Sequence, residues 1–266
     1  MRMARIVAFV CALACAVGVG VWYYGDYRVH PVRVAEAQPD EDAWIEQLHS
    51  PNPTESAAAA RYVEQLGVRA LPMIHATLQD PGATSDQVKA ALKACGILGP
   101  TAAPAIGEVA ESLPDPSVTA EAAVALSFMG RGAFAPLHDS LTSDDPVVRR
   151  ESLRSIGKLK DRAPLDWRAV LPLLVDGMKD SDAGVRTVAA TYLGIVHEGG
   201  GAAVPALIDG LKDPQADVRR ASAAALGSFG ADAEPAVPAL RKAASDSDPD
   251  VAREAGVTLV RLQPWR

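Results

Sequence analysis

Four carboxylates recur at one repeat position of this 266-residue chain and could attract a positively charged partner. The residue four positions after Pro104, Pro172 and Pro205 is acidic in each case, and a shorter segment aligned on its Pro-Leu pair at Pro136 supplies a fourth. If these prolines open stacked helices, the carboxylates form a stripe of one sign that focuses the electrostatic potential. The alternative is an ordinary solvated helix face. The members of this acidic stripe are Glu108, Asp139, Asp176 and Asp209.

No motif in the chain is typical of catalysis or of a metal site. None of the five histidines has the spacing of a zinc site, and no G-x-S-x-G sequence occurs. A His-Glu pair occurs once in the chain, at residues 197–198. Cys95 is flanked by Ala94 and Gly96, so we interpret it as a small buried residue. The sequence therefore predicts no enzymatic activity, no cofactor and no metal.

The elements that position these residues are internal repeats, which are visible as columns of single residues. A proline recurs in steps of 32, 32, 36, 33 and 33 residues, and a valine recurs in steps of 30, 30, 37, 33 and 33. The long step in both columns indicates one insertion, around residues 158–167. The prolines are Pro72, Pro104, Pro136, Pro172, Pro205 and Pro238, and the valines are Val88, Val118, Val148, Val185, Val218 and Val251.

Each repeat contains signals for two helices. Asp-Pro, as at residues 80–81, 115–116, 145–146, 213–214 and 248–249, predicts the start of the first helix, because Asp caps helices well and Pro is favoured at their first position. Leu-Gly predicts the end of that helix. The column proline predicts the start of a short second helix, for example from Pro205 to Lys212. Residues 199–201, three glycines, are expected to form a flexible turn.

The composition favours an all-helical fold and counts against nucleic-acid binding. Aromatic residues make up only 5% of the chain and alanine is abundant, which favours helices over sheets. The net charge of −7 counts against nucleic acid as a partner, because such binding depends on neutralising phosphates.

The repeated pattern resembles the HEAT repeat family. It reads Asp-x-x-Val-Arg-x-x-Ala-x-x-x-Leu-Gly followed by Val-Pro-Ala-Leu, as at residues 182–194 and 204–207, and is similar to the subtype of phycobilisome lyases. The resemblance covers about 80% of the chain and is strongest from residue 145 onward. It implies an α-solenoid of about six to seven two-helix repeats, in which the second helices line a concave surface.

A basic column in the first helices has two interpretations. In a stacked array its members lie one above another and can reach acidic helix caps such as Asp145 or Asp182. The HEAT resemblance implies a ladder of ion pairs between repeats, and the alternative is a basic strip that binds a ligand. The column consists of Lys89, Arg149, Arg186 and Arg219.

The N-terminus predicts a membrane segment. Residues 6–24 are 19 residues without a charge, preceded by Arg2 and Arg5, which favours one spanning helix with its N-terminus in the cytoplasm. A signal cleaved after Ala16 and a lipidated Cys15 are the alternatives. The expected organisation is an anchor or signal at residues 1–28, a linker and capping helix at 29–53, and the repeat array at 54–266.

Taken together, these features predict a non-enzymatic scaffold. The repeat array would lie in the periplasm or outside the cell, held by the anchor or secreted after cleavage, and would bind a protein or a basic peptide at the acidic stripe. The alternative is an enzyme or enzyme accessory of the phycobilin-lyase kind, in which the array cradles a substrate or chromophore. A compact, aromatic-rich pocket would favour that alternative.

Overall fold

The computed structural model describes residues 43–162 and 166–262. Every regular element within these ranges is helical, which confirms the predicted all-α fold. The chain divides into two compact units, residues 1–62 and 63–266. The predicted boundaries at residues 28 and 53 stay predictions.

Helix α1 (Trp44–Leu48) lies in the first unit and within the predicted capping segment, and α2 (Pro53–Leu66) follows it and extends past residue 62. The side chain of Asn52 accepts a hydrogen bond from the backbone N–H of Thr54 and so caps α2. The hydroxyl of Ser56 donates to the carbonyl of Leu48 over 2.9 Å, which ties the two helices together.

The second unit is a succession of short helices joined by 3₁₀ segments. The 3₁₀ segments are Gly67–Ala70, Gly99–Ala105, Arg131–Ala133, Ser140–Thr142 and Gly230–Ala236. The α-helices are α3 (Leu71–Gln79), α4 (Ser85–Leu98), α5 (Ile106–Glu111), α6 (Thr119–Phe128), α7 (Phe134–Asp139), α8 (Pro146–Arg162), α9 (Trp167–Gly177), α10 (Ala183–Val196), α11 (Gly200–Gly210), α12 (Ala216–Leu226), α13 (Val237–Ala243) and α14 (Pro249–Leu262).

These helices form two layers. The first helices of the repeats, α4, α6, α8, α10, α12 and α14, each pack on the next member of their own layer. Each second helix (α3, α5, α7, α9, α11 and α13) packs against the first helix that follows it. Five complete repeats, α4 to α13, therefore stack between α3 and α14, which is the nearest-neighbour packing of a solenoid.

The core between the layers consists mainly of alanine, leucine and valine. The column valines from Val118 to Val251 are at most 2% exposed, as their periodicity predicts. Val88 is an exception, because it is half-buried. The buried positions of α4 coincide with those of α12 only when Gln87, and not Val88, is aligned with the column valine of α12. Ala91, Leu92 and Cys95 are among the residues that then match. The predicted alignment was therefore wrong by one residue in α4.

The Leu-Gly pairs end some helices and lie inside others. Gly99 has a φ of +56° and caps α4 as predicted. Gly194 lies inside α10, which ends at His197 with a left-handed φ of +38°. A Cβ on Gly194 would lie 2.8 Å from the Cα of Ala225 in α12. This glycine is thus required for the close approach of two first helices, and its interpretation as a helix end was wrong.

The Asp-Pro signals also divide into two groups. Pro146 and Pro249 begin α8 and α14 as predicted. By contrast, α12 begins at Ala216, and the carboxylate of Asp213 accepts a hydrogen bond from the backbone N–H of Gln215. Asp145 accepts the N–H of Val147 in the same way although α8 begins at Pro146, so this hydrogen bond does not set where a helix starts. Asp213 instead lies two residues before Gln215, the cap of α12, and its carboxylate binds Arg186.

The second helices in the C-terminal half begin earlier than their prolines predicted. Helix α9 begins at Trp167 and α11 at Gly200, so Pro172 and Pro205 lie inside them. Gly199 takes the left-handed turn conformation with a φ of +66°, while the next two glycines belong to α11. The expectation of a three-glycine flexible turn was therefore wrong for two of the three residues.

The predicted location in a membrane is corrected. Within residues 43–162 and 166–262 no helix is both long and apolar enough to cross a bilayer. The physical reason is length and charge: α8 has 17 residues, several of them charged, whereas a span needs about 20 apolar residues. The predicted segment at residues 6–24 lies outside the described residues.

Candidate functional site

Three arginines of the basic column form a ladder of ion pairs between successive repeats. Each guanidinium binds one aspartate through two parallel hydrogen bonds of 2.7–2.9 Å. Each also donates to two backbone carbonyls five and six residues before it in the chain. This arginine ladder consists of Arg149–Asp180, Arg186–Asp213 and Arg219–Asp246.

The partners in the ladder differ from the predicted ones. Asp145 and Asp182 cap the helices that carry the arginines, by accepting the backbone N–H groups of Val147 and Val185. The arginines instead reach an aspartate 27 or 31 residues ahead, in the loop that precedes the next first helix. The recurrence of Asp213 and Asp246 at a 33-residue spacing is the sequence signal that could have identified them.

The ladder is closed to a ligand. The hydrogen bonds from Arg149 and Arg219 hold the pKa values of Asp180 and Asp246 below their usual range. Burial acts to raise the pKa of Asp213, but the hydrogen bonds from Arg186 and the backbone outweigh it, and the net shift is downward. Both partners of each pair stay charged near neutral pH and fully engaged, which supports the ion-pair interpretation over the ligand strip.

Lys89 does not belong to the arginine ladder. The register of α4 places it one position beyond the ladder arginines, at the position that Arg220 occupies in α12. It acts on Asp115, whose pKa is lowered mainly by hydrogen bonds from Ser117 and only slightly by the charge of Lys89.

The four members of the acidic stripe lie on four successive second helices, but they differ in exposure. Asp139, Asp176 and Asp209, on α7, α9 and α11, have side chains that are 81%, 73% and 79% exposed. Glu108, on α5, is only 20% exposed. The sequence spacing therefore identified three accessible carboxylates and one that is largely enclosed.

Glu108 connects two repeats. Its carboxylate lies 2.8 Å from Nδ1 of His75 and accepts a hydrogen bond from the side chain of Gln79, both on α3. Burial acts to raise its pKa, but the backbone and His75 hydrogen bonds outweigh burial, so the pKa is lowered. The side chain holds α5 against α3, and this is a structural role rather than an open binding group.

The three exposed aspartates have partners on their own helix or turn. Asp176 pairs with Lys179 at 3.0 Å and Asp209 with Lys212 at 2.9 Å, each three residues along the chain. Asp139 lies 3.4 Å from Nδ1 of His138. These three members of the stripe are consequently exposed carboxylates with a basic side chain beside each. That row is less negative than the sequence spacing indicated.

A cavity of about 270 Å³ lies between α7 and α9, beside the acidic stripe. Its floor contains the Arg149–Asp180 pair, and its rim carries His138 and Asp176. The remaining lining is largely aliphatic: Leu141, Thr142, Leu153, Leu173, Gly177 and Val185. Sequence analysis missed this cavity because it depends on the lengths of neighbouring helices rather than on a motif.

The described residues offer little for catalysis. Within residues 43–162 and 166–262 no three His, Cys, Asp or Glu side chains form a group that could hold a metal ion. Cys95 is buried, and burial raises its pKa to about 12, so its thiol is not activated as a nucleophile.

Comparisons with known proteins agree with this architecture. The sequence profile of the HEAT repeats matches residues 103–194, 134–227 and 204–263. No match was found among the curated proteins.

Among solved structures, importin beta is 16% identical with a TM-score of 0.55, and the alignment covers 82% of this chain and 35% of importin beta. The Escherichia coli protein YibA is 14% identical with a TM-score of 0.52, and the alignment covers 84% of this chain and 92% of YibA. A chain of the CpcE–CpcF complex of phycocyanin lyase from Nostoc sp. PCC7120 is 22% identical with a TM-score of 0.49, and the alignment covers 58% of this chain and 98% of that chain.

The similarity to these structures concerns the fold. The profile matches together cover residues 103–263, which is more than half of the chain. The two-layer stack of helix pairs and the repeated Val-Arg and Leu-Gly pairs occupy the same residues. This chain belongs to the HEAT repeat family.

Proposed function

We propose that this chain is a non-enzymatic HEAT-repeat scaffold whose second-helix layer binds a protein or peptide rich in basic residues. One observation carries the proposal: Asp139, Asp176 and Asp209 are exposed on three successive second helices. A partner that follows this layer would meet a carboxylate on each repeat.

The existing partners of these carboxylates are weak competitors. An exposed ion pair contributes about 0.2–1 kcal/mol, so Lys179 and Lys212, which follow the ends of α9 and α11, can swing away at little cost. A partner with several cations gains more from the row of carboxylates than each single lysine does. The ladder aspartates are not available in this way, because each accepts two bonds from an arginine.

The overall charge supports the same class of partner. A net charge of −7 accelerates encounters with cationic surfaces and opposes binding to phosphates. This cavity lacks the aromatic-rich lining that would favour the phycobilin-lyase alternative, since its one ring is the imidazole of His138. Its floor groups, Arg149 and Asp180, already satisfy one another.

The test compares two pairs of charge reversals on opposite layers. The probe is an octapeptide of alternating lysine and arginine, and its affinity is measured by fluorescence anisotropy at low salt. In the variant Asp176→Lys/Asp209→Lys we expect about tenfold weaker binding. The matched control Asp217→Lys/Asp250→Lys breaks the same kind of three-residue pair, with Arg220 and Arg253, on the first-helix layer.

The control separates a local site from an effect of net charge. We expect it to weaken binding less than twofold. Equal losses in both variants, or no binding of the basic octapeptide by the wild-type chain, would overturn the proposal.

A further inference from the structure

The cavity between α7 and α9 marks an irregularity in the second-helix layer. Helix α7 has 6 residues and continues as the 3₁₀ segment Ser140–Thr142, whereas α9 has 11 residues. The next pair, α9 and α11, has 11 residues in each helix, and these two helices pack directly. Helix α5 also has 6 residues and packs on α7, so the cavity lies where a short second helix is followed by a long one.

The walls of this space are apolar. Leu141 and Leu173 are half-buried, and Leu153 forms the inner wall with 1% of its surface exposed. A volume of about 270 Å³ is many times that of a water molecule and accommodates an aliphatic side chain. Burial of such a side chain is favourable, because it removes apolar surface of the ligand and of three leucines from water.

The polar groups of the floor are largely engaged, since four of the five N–H groups of Arg149 already donate hydrogen bonds. Arg149 donates four hydrogen bonds, two to the carboxylate of Asp180 and two to the carbonyls of Ser143 and Asp144. Asp180 in addition accepts the backbone N–H of Asp182. Few polar groups of the floor are left to hold a small polar ligand, so recognition at the floor is mainly by shape.

The rim supplies the charge. Asp176 belongs to the lining, and Asp139 directly follows His138, another lining residue. Both carboxylates are more than 70% exposed. An aliphatic side chain in the cavity would place its chain neighbours at these carboxylates, where basic residues fit best.

We infer that the cavity between α7 and α9 receives one aliphatic side chain, of leucine size, from a peptide segment whose neighbouring residues are basic. This inference rests on the proposed function and adds to it a sequence preference and a position. The leucine is the anchor, and Asp139 and Asp176 orient the peptide across the second-helix layer.

The experiment uses the full chain and two octapeptides of lysine and arginine, one with a central leucine and one with glycine in its place. Fluorescence anisotropy gives the affinity of each. We expect the leucine peptide to bind about tenfold more tightly, which is the effect of burying most of one leucine side chain. Leu173→Trp fills the cavity and is expected to abolish the difference between the peptides.

Two further variants complete the design. Ala206→Trp introduces the same ring at the matching position one repeat later and should leave the leucine preference intact. Thr142→Trp obstructs the cavity from an exposed position, so it tests the inference if Leu173→Trp does not fold. Equal binding of both peptides would overturn the cavity assignment and leave the proposed function standing, whereas binding of neither peptide would overturn both.

Discussion

Two sets of ion pairs run along the same repeats, and they differ in almost every physical property. The arginine ladder joins consecutive repeats through side chains that are 10–15% exposed, with two hydrogen bonds in each pair. The Asp176–Lys179 and Asp209–Lys212 pairs lie within single repeats at the C-terminal ends of α9 and α11, are 67–79% exposed and have one contact each. The same combination of charges is structural in one layer and available to a partner in the other.

The choice of cation follows from this difference. A planar guanidinium presents parallel donors that match a carboxylate, and it keeps its charge when partly buried. A lysine ammonium is strongly hydrated and flexible, which suits a surface from which a partner can displace it. Three experiments test whether the two sets differ in energy as they do in geometry, and a fourth tests the close packing of the first helices.

Acidification should have the largest effect, because it acts on all three ladder pairs at once. The folded-state pKa values of Asp180, Asp213 and Asp246 are lowered, so their pairs stabilise the fold above the unfolded-state pKa of about 3.9. This stabilisation is lost as the pH falls through the lower folded-state values. We expect steep acid unfolding below about pH 4, followed by circular dichroism, with little change between pH 5 and 8. Unchanged stability at pH 2 would contradict this role.

Removal of one ladder arginine should come next. Arg186→Met leaves the carboxylate of Asp213 enclosed without its cation, and we expect the free energy of unfolding to fall by about 2–3 kcal/mol. This loss is smaller than that for a fully buried pair, because these two groups are partly exposed. Lys212→Met, which breaks the exposed pair with Asp209, is the control and should change stability by less than about 0.5 kcal/mol. Urea denaturation measures both, and similar losses would remove the distinction between the two sets.

The close contact between α10 and α12 at Gly194 gives an intermediate effect. Gly194→Ala places a Cβ 2.8 Å from the backbone of Ala225, so we expect a loss of about 1–2 kcal/mol despite the better helix propensity of alanine. Gly256→Ala is the matched control, because its Cβ would meet no atom within 4 Å. That variant should be neutral or slightly more stable. The comparison by thermal melting fails if both variants melt alike.

The smallest effect on stability belongs to the acidic stripe. Asp176→Asn and Asp209→Asn together should lower the free energy of unfolding by less than about 0.5 kcal/mol, because both side chains are exposed and singly paired. The thermal midpoint should accordingly stay close to that of the wild type. A large loss would mean that Asp176 and Asp209 are part of the structural framework, as Glu108 is, rather than a free surface.

The sequence predicted the repeats well and their boundaries less well. The valine column, the two-helix unit and the all-α class follow from periodicity, which reports burial directly. Helix ends were predicted less accurately, because Asp213 and Gly194 have local preferences that tertiary contacts override. Asp213 is engaged by an arginine of the previous repeat, and Gly194 is required where two helices nearly touch.

The candidate site was predictable only in part. Sequence spacing placed Asp139, Asp176 and Asp209 on one layer, but it did not distinguish Glu108, which His75 of the preceding repeat encloses. Nor did it indicate the cavity, since none of Leu141, Leu153 and Leu173 is unusual in its own helix. The membrane location expected from residues 6–24 had no support among the described residues.

By itself, the sequence determined the class of fold, the repeat length and the layer on which each charged column lies, because these depend on periodicity along one chain. Only the tertiary structure decided which charges are engaged and where space remains. Those properties depend on distances between residues about 30 positions apart and on the relative lengths of stacked helices, and no single repeat contains that information.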